Sequence, residues 1–391
     1  MLFSLALIFI LGMILGSIFN KLKLPSLLGM LLTGIILGPY MLNLLSPDLL
    51  HISADLRKIA LIIILTRAGL NLDINDLKKV GRPAILMCFV PALFEITGML
   101  ILAPKLLHLS FIEAGILGTV IAAVSPAVIV PKMLKVMSEN YGTKKSIPQM
   151  IMAGASVDDV FVIVLFTAFT SLATGGSVTP LDFVKIPTSI ISGLAVGVII
   201  GKILCSIFAK IHMRDSAKVL IILSISFLLV TVENKITGPF GFSGLLAIMA
   251  IGGTIQKCRN QVSIRLAQKY SKLWVAAEIC LFVLVGATVN LKFPIAAGFS
   301  AVLLIFAVLI FRVIGVLLCV TGTKLNSKER IFTMIAYTPK ATVQAAIGSI
   351  PLSMGLACGN VVLTVAVLSI MITAPLGAFA IDMLYKKLLT K

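Results

Sequence analysis

Apolar runs of about twenty residues recur from one end of the chain to the other, and each is long enough to cross a bilayer core as a helix. The first, "MLFSLALIFILGMILGSIFN", has no basic leader and no small-residue cleavage site, so it reads as a retained span rather than a signal peptide. Charged residues make up only 12% of the 391 residues and mean hydropathy is +1.13, whereas a soluble domain carries about 25% charge. No stretch is polar enough for a separate soluble domain. The fold class expected is an all-α polytopic membrane protein with about 13 transmembrane helices. The spans lie at about 1–19, 25–42, 57–72, 81–104, 111–134, 147–173, 183–208, 217–233, 240–256, 268–290, 294–321, 329–351 and 360–384. The six cysteines sit mostly in apolar runs without CxxC or Cys/His pairing, so they read as small buried side chains.

A net charge of +18 raises nucleic acid as a partner, but its placement argues for topology instead. Alternate loops, among them "NDLKKVGR", "PKMLKVMSENYGTKK", "QKCRNQVSIRLAQKYSK" and "YKKLLTK", hold most of the Lys and Arg. The opposite loops hold only Arg57, Lys58, Lys105, Lys185, Lys235 and Lys292. Positive charge stays cytoplasmic, which puts the N-terminus outside and the C-terminus inside. Anionic lipid head groups are the expected neighbours of this charge; no nucleic acid is.

Charges within the spans are few. Glu95, Asp158, Asp159 and Glu278 are the acids; Arg312 and Lys340 are bases near mid-span, where snorkelling is hard. Each costs about 2.5–3.5 kcal/mol to insert, so each is a functional candidate. The alternative is a mutually neutralising pair that only holds helices together. Glu278, in "WVAAEICLF", is a candidate for the ion pathway or for an interfacial position. His51, His108 and His212 fall in loops or near span ends, poor places for a proton carrier.

Two spans share a break signal. In "AAVSPAVIV" and "IAYTPKATV", Ala123, Ser125, Pro126 and Val130 match Ala336, Thr338, Pro339 and Val343. These spans are the fifth and twelfth, so they cross in opposite directions, as inverted repeats require. A mid-span proline removes a donor and frees a carbonyl, giving either a simple kink or a discontinuous helix whose half-ends face an ion. Lys340 follows the second break, where an ammonium would offset exposed carbonyl ends, and it counts with Arg312 and Glu95 as a charge-pairing residue of the core. The repeat also sets Glu95 on the fourth span near Arg312 on the eleventh. The chain then reads as one transporter domain, 1–391, with core helices at about 81–173 and 294–384 and scaffold helices at about 1–72 and 183–290.

"AAVSPAVIVPKML", "AGASVDDVFVIVLF", "FRVIGVLL", "TPKATVQAAIGSI" and "LTVAVLSIMITAPLGA" together resemble the cation:proton antiporter superfamily, most closely its NHA branch of sodium/proton antiporters. The resemblance implies a homodimer in which a mobile core slides against a scaffold, with two crossed, discontinuous helices beside an aspartate pair. It implies Asp159 as the cation-binding aspartate, the ligand of transported sodium or lithium, with Asp158 as its neighbour. It implies Arg312 as the basic residue of the opposing core helix, and Glu95 as the branch's intramembrane glutamate. Where many bacterial relatives read Thr-Asp-Pro, this chain reads Val124-Ser125-Pro126, so Ser125 offers an oxygen ligand but the extra carboxylate is missing.

Sodium and lithium are hard cations that prefer oxygen, and a carboxylate can hold either the cation or a proton. Taking a carboxylate out of water disfavours its ionised form and brings proton binding within reach of cellular pH. Neighbouring side chains on a helix point about 100° apart, so one aspartate can face an ion while the other faces a partner. Arg312 is the natural partner for Asp158, since an unpaired buried charge is costly, and arginine does not give up its proton. Only Asp159 then changes state, and exchange by alternating access is electroneutral. Potassium/proton antiport and electrogenic sodium/proton exchange remain the alternatives. An intramembrane aspartyl protease is disfavoured, because its two carboxylates converge from separate helices and no GxGD is present. No enzyme activity and no cofactor are expected. Short loops suit a multi-pass protein of a bacterial cytoplasmic membrane.

Overall fold

Leucine, isoleucine, valine and alanine fill the runs between the chain's prolines and polar loops, and in the computed structural model these runs are helical. The structure describes residues 1–22, 24–71, 81–174, 180–235, 241–289 and 292–391. Lys23 and the basic loop at 72–80, both used in reading orientation, lie outside the described residues. The helices are α1 (Leu2–Lys21), α2 (Ser26–Leu37), α3 (Pro47–His51), α4 (Ser53–Leu70), α5 (Arg82–Met87), α6 (Val90–Leu107), α7 (Phe111–Ala122), α8 (Pro126–Ser138) and α9 (Ile147–Thr174). They continue as α10 (Pro180–Lys210), α11 (Asp215–Lys235), α12 (Gly244–Cys258), α13 (Asn260–Ala287), α14 (Lys292–Val320), α15 (Ser327–Ala336), α16 (Thr342–Ile347), α17 (Ile350–Ser353) and α18 (Gly359–Leu388).

The chain is an all-helical, multi-pass integral membrane protein. Among the described residues, nine helical stretches are long and apolar enough to cross a bilayer. Four of the spans read from sequence fall short of that standard. The run at 25–42 forms the 12-residue α2, and that at 240–256 the 15-residue α12. The run at 57–72 lies in α4, whose first turns carry Asp55, Arg57 and Lys58. The run at 329–351 is split into α15, α16 and α17. The basic stretch at 257–272 is mostly helix, the opening turns of α13, with Arg259 as the joint.

Contacts divide the chain into two units. The first comprises 1–54, 76–162 and 279–391; the second comprises 55–75 and 163–278. In the second, α10 and α11 pack on α12, and Ser263 of α13 donates to the Leu70 carbonyl at 2.7 Å.

In the first unit the tightest pairing is α6 with α14. Gly98 makes it so: a Cβ there would stand 2.7 Å from the Phe311 ring, closer than two carbon atoms can pack. This contact sets Glu95 and Arg312, each within a turn of it, at the same level. A buried cluster including Met87, Ile129, Met133, Ile151, Phe332 and Tyr337 fills the space among α5, α8, α9 and α15. At one end, buried Glu329 caps α15 with Asn326 and pairs with Lys145 at 2.7 Å. Beside it, Lys132 of α8 is bound to Asp382 of α18. These polar ties join α8 to α18 and the start of α15 to the turn at Thr143–Lys145.

Candidate functional site

Both mid-span prolines mark helix ends. Proline's missing N–H suits the first turn of a helix, and α8 begins at Pro126 after Ala123, Val124 and Ser125 leave α7 in extended conformation. The second gap runs from Tyr337 to Ala341, with Thr338 and Pro339 inside it. The two gaps touch: the Ser125 N–H donates to the Pro339 carbonyl at 2.8 Å. The Ser125 and Thr342 hydroxyls stand 3.5 Å apart. Helix α18 closes over this meeting point, and Gly377 permits it, because a Cβ there would lie 2.4 Å from the Pro339 ring. The Lys340 N–H, freed by the gap, finds the Thr373 hydroxyl of α18 at 3.0 Å.

Arg312 sits fully buried at the centre of this arrangement. Its Nη2 donates to Asp158 Oδ2 and its Nη1 to Glu95 Oε2, both at 2.8 Å. Its Nε donates to the Tyr337 carbonyl at 2.7 Å, and Nη1 also donates to the Ala122 carbonyl. One guanidinium thus serves two acids and the carbonyl ends of both broken helices. The Tyr337 ring lies under it, 5.0 Å from ring centre to guanidinium carbon, with its hydroxyl tied to the Met87 carbonyl. Lys340, fully buried as well, reaches Glu95 Oε2 at 2.6 Å. Sequence placed this ammonium against carbonyl ends; in the structure its tetramethylene stem carries it to Glu95, and Arg312 takes the carbonyls.

The neighbouring aspartates part company. Asp158 is wholly buried, and besides Arg312 it accepts the Val124 N–H at 3.0 Å. Asp159 is 7% exposed, and its buried Oδ1 takes no hydrogen bond from any described residue. Among the described residues the ion pairs match Glu95 and Asp158 with Arg312 and Lys340 and leave out Asp159. Asp159 thus keeps a carboxylate oxygen without a partner among the described residues, and a hydroxyl pair stands at the adjoining gap.

Asp158, Glu95, Arg312, Lys340, Ser125, Pro126, Thr338 and Pro339 are brought together at the two gaps, with Asp159 adjoining Asp158 on α9. Thr338 spends its hydroxyl locally, on the Ile335 carbonyl at 2.9 Å. Glu278 belongs to the other unit, where its charged neighbour is Arg67. Sequence reasoning passed over Tyr337, Thr342, Thr373 and Gln344, all buried polar residues of this region. Their signal was faint, since an uncharged polar side chain in an apolar run marks a helix contact as readily as a site.

The sequence matches the family described as sodium/hydrogen exchanger, transmembrane, over residues 5–387. This chain belongs to the sodium/hydrogen exchanger family. It is 35% identical to human sodium/hydrogen exchanger 9B2 over 416 aligned residues, covering 100% of this chain and 75% of that protein. To human sodium/hydrogen exchanger 9B1 it is 31% identical, over 100% of this chain and 78% of the relative. Its fold is that of the sodium proton antiporter MjNhaP1 from Methanocaldococcus jannaschii, with TM-score 0.85, 22% identity, and 99% and 98% of the two chains covered. The family resemblance read from the motifs is thereby established, and the relatives are exchangers, not enzymes.

Proposed function

We propose that this protein exchanges sodium, or lithium, for protons by alternating access, with Asp159 carrying the ion in one direction and the proton in the other. The observation that carries the reading is the charge balance at the breaks. Glu95 and Asp158 are matched by Lys340 and Arg312, so Asp159 is the carboxylate whose charge must be neutralised by cargo. Loaded with one sodium or one proton, the core has the same charge, and exchange is electroneutral, one for one. Ser125 and Thr342 supply neutral oxygens. Sodium, a hard cation, needs several such ligands, and water fills the remainder. No cofactor takes part.

In this reading the chain has about 13 spans, arranged as inverted repeats in which the fifth and twelfth are crossed, discontinuous helices. Segments 81–173 and 294–384 form the moving core, 1–72 and 183–290 the scaffold and the homodimer contact. Excess Lys and Arg in alternate loops supports an outside N-terminus and a cytoplasmic C-terminus in a bacterial cell membrane, next to anionic lipids. The names of the exchanger relatives support sodium over potassium.

A second reading rests on Lys340. Arginine keeps its proton, but a buried ammonium can release one, and loss of that proton as sodium enters would make the cycle electrogenic. Purified protein in liposomes under a potassium-diffusion potential separates the two. Sodium-driven proton flux, unaffected by the potential, is expected. Sodium accumulation driven by voltage alone would establish the electrogenic cycle, and flux with potassium in place of sodium would reassign the cargo.

A further inference from the structure

Where α7 unwinds, its last carbonyls lose their helical donors. Side chains take over three in succession. Arg312 binds the Ala122 carbonyl, and Gln344 Nε2 donates to those of Ile121 at 3.1 Å and Ala123 at 2.8 Å. Gln344 comes from α16, in the first turn after the second gap, and is 1% exposed. Its orientation is forced, because a reversed amide would press Oε1 against two carbonyl oxygens. The next peptide along, at Val124, gives its N–H to Asp158, and the one after, at Ser125, bonds Pro339. Gln344 therefore anchors one side of an extended strand whose other peptides touch the ion pair and the second gap. It also occupies carbonyl oxygens that a hard cation would otherwise take as ligands.

We propose that Gln344 is a positioning residue of the exchange cycle: its carboxamide keeps the carbonyl end of α7 closed to the cation and holds the Val124–Ser125 strand in the geometry that binds sodium beside Asp159. The inference rests on sodium/proton exchange at this site. Without the carboxamide, two carbonyls are released and the strand loses two of its anchoring bonds. Two net hydrogen bonds at about 1 kcal/mol each bound the loss in ion affinity at about thirtyfold.

The test uses the full chain in proteoliposomes, with sodium-driven proton flux measured for wild type, Gln344→Leu and Gln344→Glu between mildly acidic and mildly alkaline pH. Gln344→Leu keeps the volume and deletes the donor; its sodium KM should rise about tenfold while its maximal rate changes less. Gln344→Glu supplies a donor only when protonated, and once ionised it faces two carbonyl oxygens. Its KM, taken relative to wild type at the same pH, should lie below that of Gln344→Leu in acid, where one of the two bonds is restored, and climb as pH rises. A residue that merely supports packing would lower thermal stability without moving either ratio. The proposal is overturned by a wild-type KM in Gln344→Leu, by a pH-independent ratio in Gln344→Glu, or by failure of both variants to fold, which would assign Gln344 to the scaffold of the fold. Failure of the underlying function is a separate result, visible as wild-type protein without any sodium-dependent proton flux.

Discussion

Replacing Arg312 with lysine keeps a positive charge and removes the fork. The guanidinium serves Asp158, Glu95 and the carbonyls of Ala122 and Tyr337. An ammonium has three protons for these four acceptors, so at least one of the four bonds is lost. Hydrogen bonds to charged groups contribute about 1.5–3 kcal/mol each, which puts the cost of Arg312→Lys at no less than about 1.5–3 kcal/mol. The replacement also has a second releasable proton beside that of Lys340. Thermal unfolding of the purified protein, followed by loss of the monodisperse peak on size exclusion, reads the first effect. Proteoliposomes under an imposed diffusion potential read the second, where the variant should accumulate sodium under voltage alone and wild type should not. Wild-type stability in Arg312→Lys would refute the reasoning that one guanidinium is needed to satisfy four acceptors. A stable variant indifferent to voltage would refute the assignment of Arg312 as the fixed charge.

Asp159→Asn should abolish exchange while leaving thermal stability equal to or above wild type, since it deletes a buried carboxylate whose Oδ1 has no partner among the described residues; retained sodium transport would remove Asp159 from the cycle. Asp158→Asn keeps an acceptor for Val124 and Arg312 but not the charge, so stability should fall by about 1.5–3 kcal/mol with exchange still measurable; a dead variant of normal stability would reverse the roles of the two aspartates. Cys258 is exposed while Cys88, Cys205, Cys319 and Cys358 are buried. A membrane-impermeant maleimide should therefore label it in intact cells only after permeabilisation, with Cys258→Ala as the control, and labelling from outside would overturn the orientation.

The broken helices were legible because proline in an apolar run leaves few alternatives, and Pro126 adjoins the first gap while Pro339 lies inside the second. The charged cluster was legible because insertion of Glu95, Asp158 or Arg312 is costly and must be offset by a partner. What sequence did not convey was the reach of individual side chains. Lys340 lies one residue from the second proline, yet its amine ends on α6 rather than at the nearby helix end. Gln344 and Thr373 bind backbone groups that only become available once the helices unwind, so no local pattern announces them. The helices α2 and α12 occupy only part of the runs at 25–42 and 240–256, because hydropathy counts residues of extended chain and helix alike.

Arg312 has a further consequence for how the protein is made. Its acid partners precede it by 217 and 154 residues, so during synthesis Glu95 and Asp158 enter the bilayer long before their cation exists. For that interval both carboxyls lack the guanidinium, and inserting either in its ionised form is costly. Arrival of α14 brings the guanidinium that both carboxylates bond, so pairing within this cluster waits until Arg312 has been made.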